Sequence, residues 1–496
     1  MSGWPTTPVI YEVNTAVWLD GMSRAAGRPL TLADIADADW DAITPAGVDA
    51  VWLMGVWERS PAGLALANDN AELLASFRAA LPDLRPDDVI GSPYCVHRYV
   101  ADGRFGGPAG LAAARTALAV RGARLILDYV PNHVAPDHPW VRSRPEFFVP
   151  GSEEDMRADP AAWLSVDGHV LAHGRDPYFP PWPDVVQLNA FSAEVRDATA
   201  RTLGDIADQC DGIRCDMAML MTNGVFAKTW GDRAGAEPGE DFWPAVIADL
   251  HTAHPEAVLI AEAYWDMEWD LQQEGFNFCY DKRLYDRIVD GNPTGVRQHL
   301  FADLGYQSRL VRFLENHDEP RLAGALPREL QQAAAVMVAT LPGATLWHAG
   351  QFDGHRVRIP VFLARDPEAT LEDPELAQWY RRLLGTVAGH QVRAGAWQLL
   401  DVEGWPDNQS CASLLAWSWA GDPGGDARPR HVVVVNFSAA PAQGRVQLRW
   451  PDLPGRTWRL TDLLNDEDFE RDGGELAGPG LFVAMQPGQC YLFSVR

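Results

Sequence analysis

Four short apolar runs in this chain stop on an ionisable or hydrogen-bonding residue: LILDYVPNH at 125–133, GIRCDMA at 212–218, VLIAEAYW at 258–265 and VRFLENHDEPR at 311–321. Each opens as a continuous apolar or β-branched stretch, the pattern of a strand buried on both faces. Each then delivers polar side chains: Asp128, Asn132 and His133; Arg214 and Asp216; Glu262; His317 and Asp318. Strands covered on both faces belong to a parallel sheet wrapped by helices, and functional groups at successive strand ends are how a (β/α)8 barrel builds a site. One apolar run ending in an Asp is usually an ordinary strand before a polar loop. Four in this order and spacing are not.

The other apolar runs complete an eightfold alternation. In order they are VIYEVN (9–14), AVWLMGVW (50–57), RLILDYV (124–130), GIRCDMA, AVLIAEAYW (257–265), NFCYDK (277–282), LVRFLEN (310–316) and ATLWHAG (344–350). Helix-like segments fall between most of them; PAGLAAARTALAVRG (108–122) is rich in Ala and Leu, opens on Pro and ends on Gly. A long stretch from Val134 to about Val186, rich in Pro and charge, breaks the alternation. After about Gly389 short apolar strands alternate with Gly, Pro and Asp turns. The expected class is α/β: a (β/α)8 TIM barrel over 1–133 and 187–389, a small inserted domain over 134–186 and a C-terminal antiparallel β-sandwich domain over 390–496.

The four segments resemble, in order, the short signature regions of the α-amylase superfamily (glycoside hydrolase family 13). The resemblance runs through most of the first 360 residues or so, on about forty recognisable motif positions, and so bears on the superfamily more than on the substrate. It implies retaining attack on α-glucosidic bonds, with Asp216 as nucleophile, Glu262 as general acid/base and Asp318 as the carboxylate that stabilises the transition state. Arg214, His133 and His317 match the residues that hold the sugar ring being cleaved, and the stretch 134–186 matches the domain this family inserts after the third strand. In GSPYCVHRYVADGRFGG (91–107), Tyr94 takes the place of an aromatic that stacks on that ring, and Tyr99 that of a second aromatic five residues on. A flat ring suits the apolar C–H face of a sugar.

The chemistry asks for the same residue types. A retaining glycosidase needs one carboxylate to attack the anomeric carbon and one carboxylic acid to protonate the leaving oxygen, about 5–5.5 Å apart. Arg214 lies two residues before Asp216, so both side chains share a face of one strand, and the cation is expected to lower the pKa of Asp216. Glu262, among apolar neighbours with Tyr264 and Trp265 beside it, is expected to stay protonated near neutral pH. Asp318 need only hold a sugar hydroxyl more strongly as the oxocarbenium ion forms.

Departures from the family pattern bear on the substrate. Many members carry an Asp three residues before the stacking Tyr, which with an Arg closes a pocket around a terminal glucose; here that place holds Gly91, although Arg321 fills the matching Arg position. Lys-His after the nucleophile strand is replaced by Met219 and Leu220, so an acceptor side shaped by the apolar run from Met217 to Met221 is expected. The stretch WLDGMSRAAGRPL (18–30) lacks the spaced oxygens of a calcium loop. Asn132 remains a candidate metal ligand without its usual partners, and neither a bound calcium nor any required cofactor is expected. Nothing in the sequence explains Arg98 in a position commonly acidic. Among the 20 tryptophans, Trp57, Trp140, Trp182, Trp265 and Trp269 are candidates to line a glucan groove, although each alone is better read as packing.

Composition sets the remaining limits. A chain of 496 residues has room for a barrel and one or two further domains, and 47% hydrophobic with 22% charged residues describes a globular protein, not a disordered one. No run approaches 18 apolar residues, and the start MSGWPTTPVIYEVN has neither basic nor apolar leader regions, so a cytoplasmic location is expected. Six scattered cysteines, several within strands, agree with it. A formal charge of −27 argues against nucleic acid or anionic membrane as partners and suits a neutral glucan or oligosaccharide. Three readings follow: an α-glucan hydrolase, a transglycosylase that hands the same intermediate to a sugar acceptor, and a non-catalytic carbohydrate-binding scaffold, the last disfavoured by the complete carboxylate set.

Overall fold

The eight apolar runs form eight parallel strands in the computed structural model, which describes residues 3–367, 373–421 and 430–496. They are Val9–Asn14, Ala50–Met54, Arg124–Tyr129, Gly212–Cys215, Val258–Ala261, Phe278–Tyr280, Leu310–Arg312 and Ala344–His348. They close in chain order, the eighth pairing with the first. Because successive side chains point to opposite faces, one parity fills the barrel and the other meets the helices. Ile10, Ile126, Ile260 and Leu346 pack inside the barrel, while Val9, Leu125, Leu259 and Trp347 belong to the strand–helix core. Glu12, Asp128, Arg214 and His348 share the inward parity, and Asp216 and Glu262 continue it just beyond their strands. That parity carries their charges to the C-terminal mouth, where such barrels build their sites.

The helix before the third strand runs Gly107–Val120, with Pro108 in its first turn and Gly122 at φ 73° just past its end. It matches the sequence expectation within two residues, and for the reasons expected: Pro costs nothing where the N–H is unpaired, and Gly accepts the left-handed turn.

Four smaller sheets surround the mouth or extend the barrel. Trp57–Arg59 pairs with Val96–Ala101 and frames the loop that carries Tyr94. The inserted stretch forms a four-stranded antiparallel sheet in the order His133–Val134, Trp182–Gln187, His169–Gly174, Trp163–Val166, over a small core that includes Phe147, Phe148 and Leu171. Its first strand starts on His133 itself, so the insert is hydrogen-bonded directly to the segment that follows the third barrel strand. Beyond the barrel, a six-stranded and a three-stranded antiparallel sheet enclose a second core with Trp458, Val434 and Phe493. Trp419 docks the larger sheet on the barrel by donating to the Thr340 carbonyl at 2.7 Å. Among the described residues no helix is long and apolar enough to cross a membrane.

Candidate active site

One guanidinium organises the centre of the mouth. Arg214 is 1% exposed; its Nη1 donates to Asp216 Oδ1 at 2.7 Å and its Nη2 lies 2.7 Å from Glu262 Oε2. Asp128 on the third strand stands 3.5 Å from Nη1 and is itself held by Trp52 Nε1 and the Gly55 amide. Three buried carboxyls thus share one cation, and the balance between burial and that cation sets each proton affinity. Glu262 is pushed up to about 7, chiefly by burial and further by Asp216 and Asp318, against the pull of Arg214. Asp216 is also raised: burial outweighs Arg214, which reverses the lowering expected from the sequence, where the depth of the strand end was not visible. The Met217 amide donates to Glu262 Oε2 at 2.7 Å and the Tyr264 hydroxyl to Oε1 at 2.9 Å. Met217 reaches that position at φ 42°, a left-handed conformation uncommon outside Gly.

Asp318 stands at the open side, with a side chain 43% exposed. Burial of its surroundings opposes ionisation, but His317 beside it holds the carboxyl down at about 2. His317 Nε2 is 2.9 Å from Asp318 Oδ2 and 2.7 Å from the Tyr94 hydroxyl, and its Nδ1 is 2.6 Å from Glu12 Oε1. Burial alone would discharge this imidazole; Asp318 and Glu12 raise its pKa well above the ordinary histidine value. Glu12, fully buried on the first strand, was not singled out from the sequence. Its signal was present in VIYEVN, as an acid on the inward parity of an apolar run. Tyr94 stacks on His317 with ring centroids 5.4 Å apart.

A cavity of about 400 Å³ opens over this set, lined by Tyr94, His133, Trp182, Asp216, Glu262 and Asp318 among others. A second of about 390 Å³ adjoins it across Met217 and Tyr264, with Phe179 and Trp265 on its walls and Lys282 and Asp286 at one side. Phe179 and Tyr178 come from the insert and are 65% and 57% exposed. Tyr178 meets Trp265 edge-on at 4.9 Å and takes a 2.7 Å hydrogen bond from Lys228.

Several expected positions lie elsewhere. Met219, Leu220 and Met221 are buried in the core, because the turn at Met217 tucks the following helical turn under the barrel rim; only Met217 reaches the cavities. Arg321 does not line either cavity. It is 6% exposed and bonded to Glu315 at 2.6 Å and to the Ala349 carbonyl, since the fully buried Glu315 requires a counter-charge. Tyr99 anchors the third strand's end through its hydroxyl, donating to the Val130 carbonyl and accepting from the Val130 amide. Trp57 is buried and donates to the Asp128 carbonyl, and Trp140 packs on Phe147; Trp182 and Trp265 do face the cavities, while Trp269 is exposed beside Tyr306. Gly91 sits at φ 88°, which a side chain rarely adopts, and its carbonyl holds the buried Arg59 at 2.7 Å.

Behind His133, Asn132 is engaged by protein on both ends of its amide. Its Oδ1 accepts from Gln187 Nε2 at 2.8 Å and its Nδ2 is 3.2 Å from His133 Nδ1. A calcium ion takes six to eight oxygens at about 2.3–2.6 Å. Here an amide nitrogen already fills the space before Asn132, and among the described residues no group of three acidic, His or Cys side chains is arranged to hold a metal. The donor set does not fit the calcium that such a fold implies. His133, buried and neutral with its pKa lowered to about 4 by desolvation, has its Nε2 3.3 Å from the Tyr94 carbonyl.

No protein-family model matches the chain. Over 366 residues it is 26% identical to the α-amylase MalA of Haloarcula japonica, covering 72% of this chain and 45% of that one. Over 278 residues it is 21% identical to α-amylase 3 of Dictyoglomus thermophilum, covering 51% and 52% of the two chains. It thus spans about half the length of these two relatives. Among solved structures it is similar to the noncanonic maltogenic α-amylase AmyB from Thermotoga neapolitana, with TM-score 0.68, 18% identity and coverage of 99% and 98%. An α-amylase from H. orenii gives 0.69 and 18% over 99% and 100%, and the acarbose complex of the Geobacillus thermoleovorans α-amylase 0.69 and 16% over 100% and 99%. At such identities the structural likeness is one of fold.

Proposed function

We propose that the chain belongs to the α-amylase superfamily of glycoside hydrolases, to which its sequence relatives point, and that it is a retaining α-glycoside hydrolase acting on an α-glucan, maltooligosaccharide or related α-glucoside through a covalent glycosyl-enzyme intermediate. The observation that carries this reading is the pair of carboxyls on one guanidinium, Asp216 and Glu262, of which Glu262 keeps a proton up to about pH 7. In the first step Asp216 Oδ attacks the anomeric carbon as Glu262 gives its proton to the departing glycosidic oxygen, and a glycosyl ester forms. In the second step Glu262, now ionised, takes a proton from water, which attacks the same carbon and releases Asp216 with the configuration retained. Asp318, ionised and facing the cleft, binds sugar hydroxyls as positive charge builds on the ring, and the Tyr94 ring offers an apolar face to the sugar in that position.

The alternative, transfer of a glucosyl or maltosyl unit to a sugar acceptor, draws support from the second cavity. It adjoins the acid side of the site across Tyr264, where a leaving sugar departs and an acceptor enters. Aromatic walls that hold a sugar there exclude water from the intermediate. The four buried cysteines and the absence of any disulfide among the six agree with a reducing, cytoplasmic location.

The test is a time course of products from maltooligosaccharides, isomaltose, trehalose, sucrose and glycogen, with Asp216→Asn as the blank. Shortened products of retained anomeric configuration support the hydrolase, and lengthened or rearranged ones the transferase. No turnover by the native protein on any of them overturns both. Glu262→Gln is expected to lose activity on natural glucosides yet keep the first step on an activated aryl α-glucoside that needs no protonation.

A further inference from the structure

A neighbouring side-chain amide fills the space before Asn132. Gln187 ends the strand by which the insert returns to the barrel, in register opposite His133. Its Nε2 lies 2.9 Å from the Asn132 carbonyl, 2.8 Å from Asn132 Oδ1 and 3.0 Å from the Leu188 carbonyl. Gln187 is 0% and Asn132 1% exposed, so none of these oxygens has water as a substitute partner. Two of the three are backbone carbonyls that only accept, which fixes the NH2 end of Gln187 toward them. Gln187 Oε1 faces away, 3.4 Å from the Arg175 amide.

We propose that the Gln187 amide is a built-in replacement for a structural cation, gathering the oxygens at the junction of insert and barrel so that this seam is held without metal. Three oxygens converging from two chain segments are what a hard cation collects; the Asn132 carbonyl also accepts from the Leu188 amide at 3.1 Å, so it is Asn132 Oδ1 and the Leu188 carbonyl that the amide keeps from being left unpaired in the interior. A neutral NH2 meets the same need with no carboxylate required to balance a double charge. The amide also places no charge beside the buried His133 ring, which lies 3.2 Å from Asn132 Nδ2.

The experiment is metal analysis and thermal unfolding of the full chain after exhaustive dialysis against EGTA, with and without millimolar CaCl2. The native protein is expected to carry no stoichiometric calcium and to unfold at the same Tm in both. Gln187→Met, which keeps the side-chain length but removes the donors, is expected to lose several degrees of Tm that calcium does not restore. Gln187→Glu sets a carboxylate against three oxygens and is expected to be destabilised in EGTA and restored by calcium. Stoichiometric calcium in the native protein, a Tm that drops in EGTA, a Gln187→Met protein as stable as the native one, or a folded Gln187→Glu protein indifferent to calcium would each overturn the proposal. If Gln187→Glu does not fold, the native protein and Gln187→Met still decide the matter.

Discussion

The two flanks of the cleft are built on opposite principles. On the proposed donor flank the ionisable groups come from the ends of barrel strands and the turns that follow them, all but Asp318 are buried, and each is tied to a partner of opposite charge: Asp216 and Glu262 to Arg214, Asp318 and Glu12 to His317. On the acceptor flank Tyr178 and Phe179 stand exposed on the insert, and Trp265 follows its strand in a turn where it and Asp266 both have φ near 60°. Arg283 clamps that turn through Asp266. Buried charge pairs are intolerant of change because either partner alone is costly, while exposed aromatic walls contribute area and little else. The proposed function thus sets the chemistry on buried charge pairs and the selectivity on an exposed wall that can vary.

The strongest way to break this comparison is Asp216→Asn. The donor flank should lose its nucleophile with little structural change, and kcat/KM should fall by about 10⁴-fold or more, read with an activated aryl glucoside so that acid catalysis is not limiting. A loss below about tenfold would remove Asp216 from the role given to it. Next comes Glu12→Gln, which keeps a hydrogen-bond acceptor for His317 Nδ1 but removes its charge. We expect kcat/KM to drop by about tenfold. We also expect a new ionisation of His317 on the profile, since the imidazole that Glu12 and Asp318 hold protonated would then have Asp318 alone. Unchanged rate and profile would show that Asp318 suffices.

The contrast also explains what could be read from the sequence. The eight strands were legible because burial on both faces writes itself as uninterrupted apolar runs, and the shared face of Arg214 and Asp216 follows from counting by twos. Glu12 stands on the inward parity of its run as well, but its partner, His317, lies 305 residues away and leaves no local signal. Arg321 and Met219 take positions that no periodicity encodes. Their positions depend on a buried acid, Glu315, and on a left-handed Met217, neither of which leaves a periodic trace. Phe179 was hidden more completely, in a stretch whose only sequence signal was Pro and charge.

The acceptor flank should respond weakly and selectively. Phe179→Ala and Trp265→Ala remove sugar-stacking area worth about 0.5–1.5 kcal/mol each, so a loss of several-fold up to about tenfold is expected, in KM for long substrates and in the ratio of transfer to hydrolysis. Hydrolysis of a small aryl glucoside should hardly change. Equal losses on both substrates would erase the distinction between the flanks, because the aromatic wall would then be supporting the catalytic groups.

The smallest effect belongs to the residue between the flanks. Tyr264 lines both cavities and donates to Glu262 Oε1. Glu262 must be protonated to act as an acid, and its affinity of about 7 predicts that kcat/KM falls as pH rises through that value. A hydrogen bond donated to the carboxylate favours the charged form, so Tyr264→Phe should raise the affinity and move the basic limb upward, by less than about one pH unit. Rates well below the limb should stay close to native, because the proton is present in both proteins there. A limb that moves downward would mean that the hydroxyl accepts the Glu262 proton instead of donating its own, and the polarity of that hydrogen bond would have to be reversed.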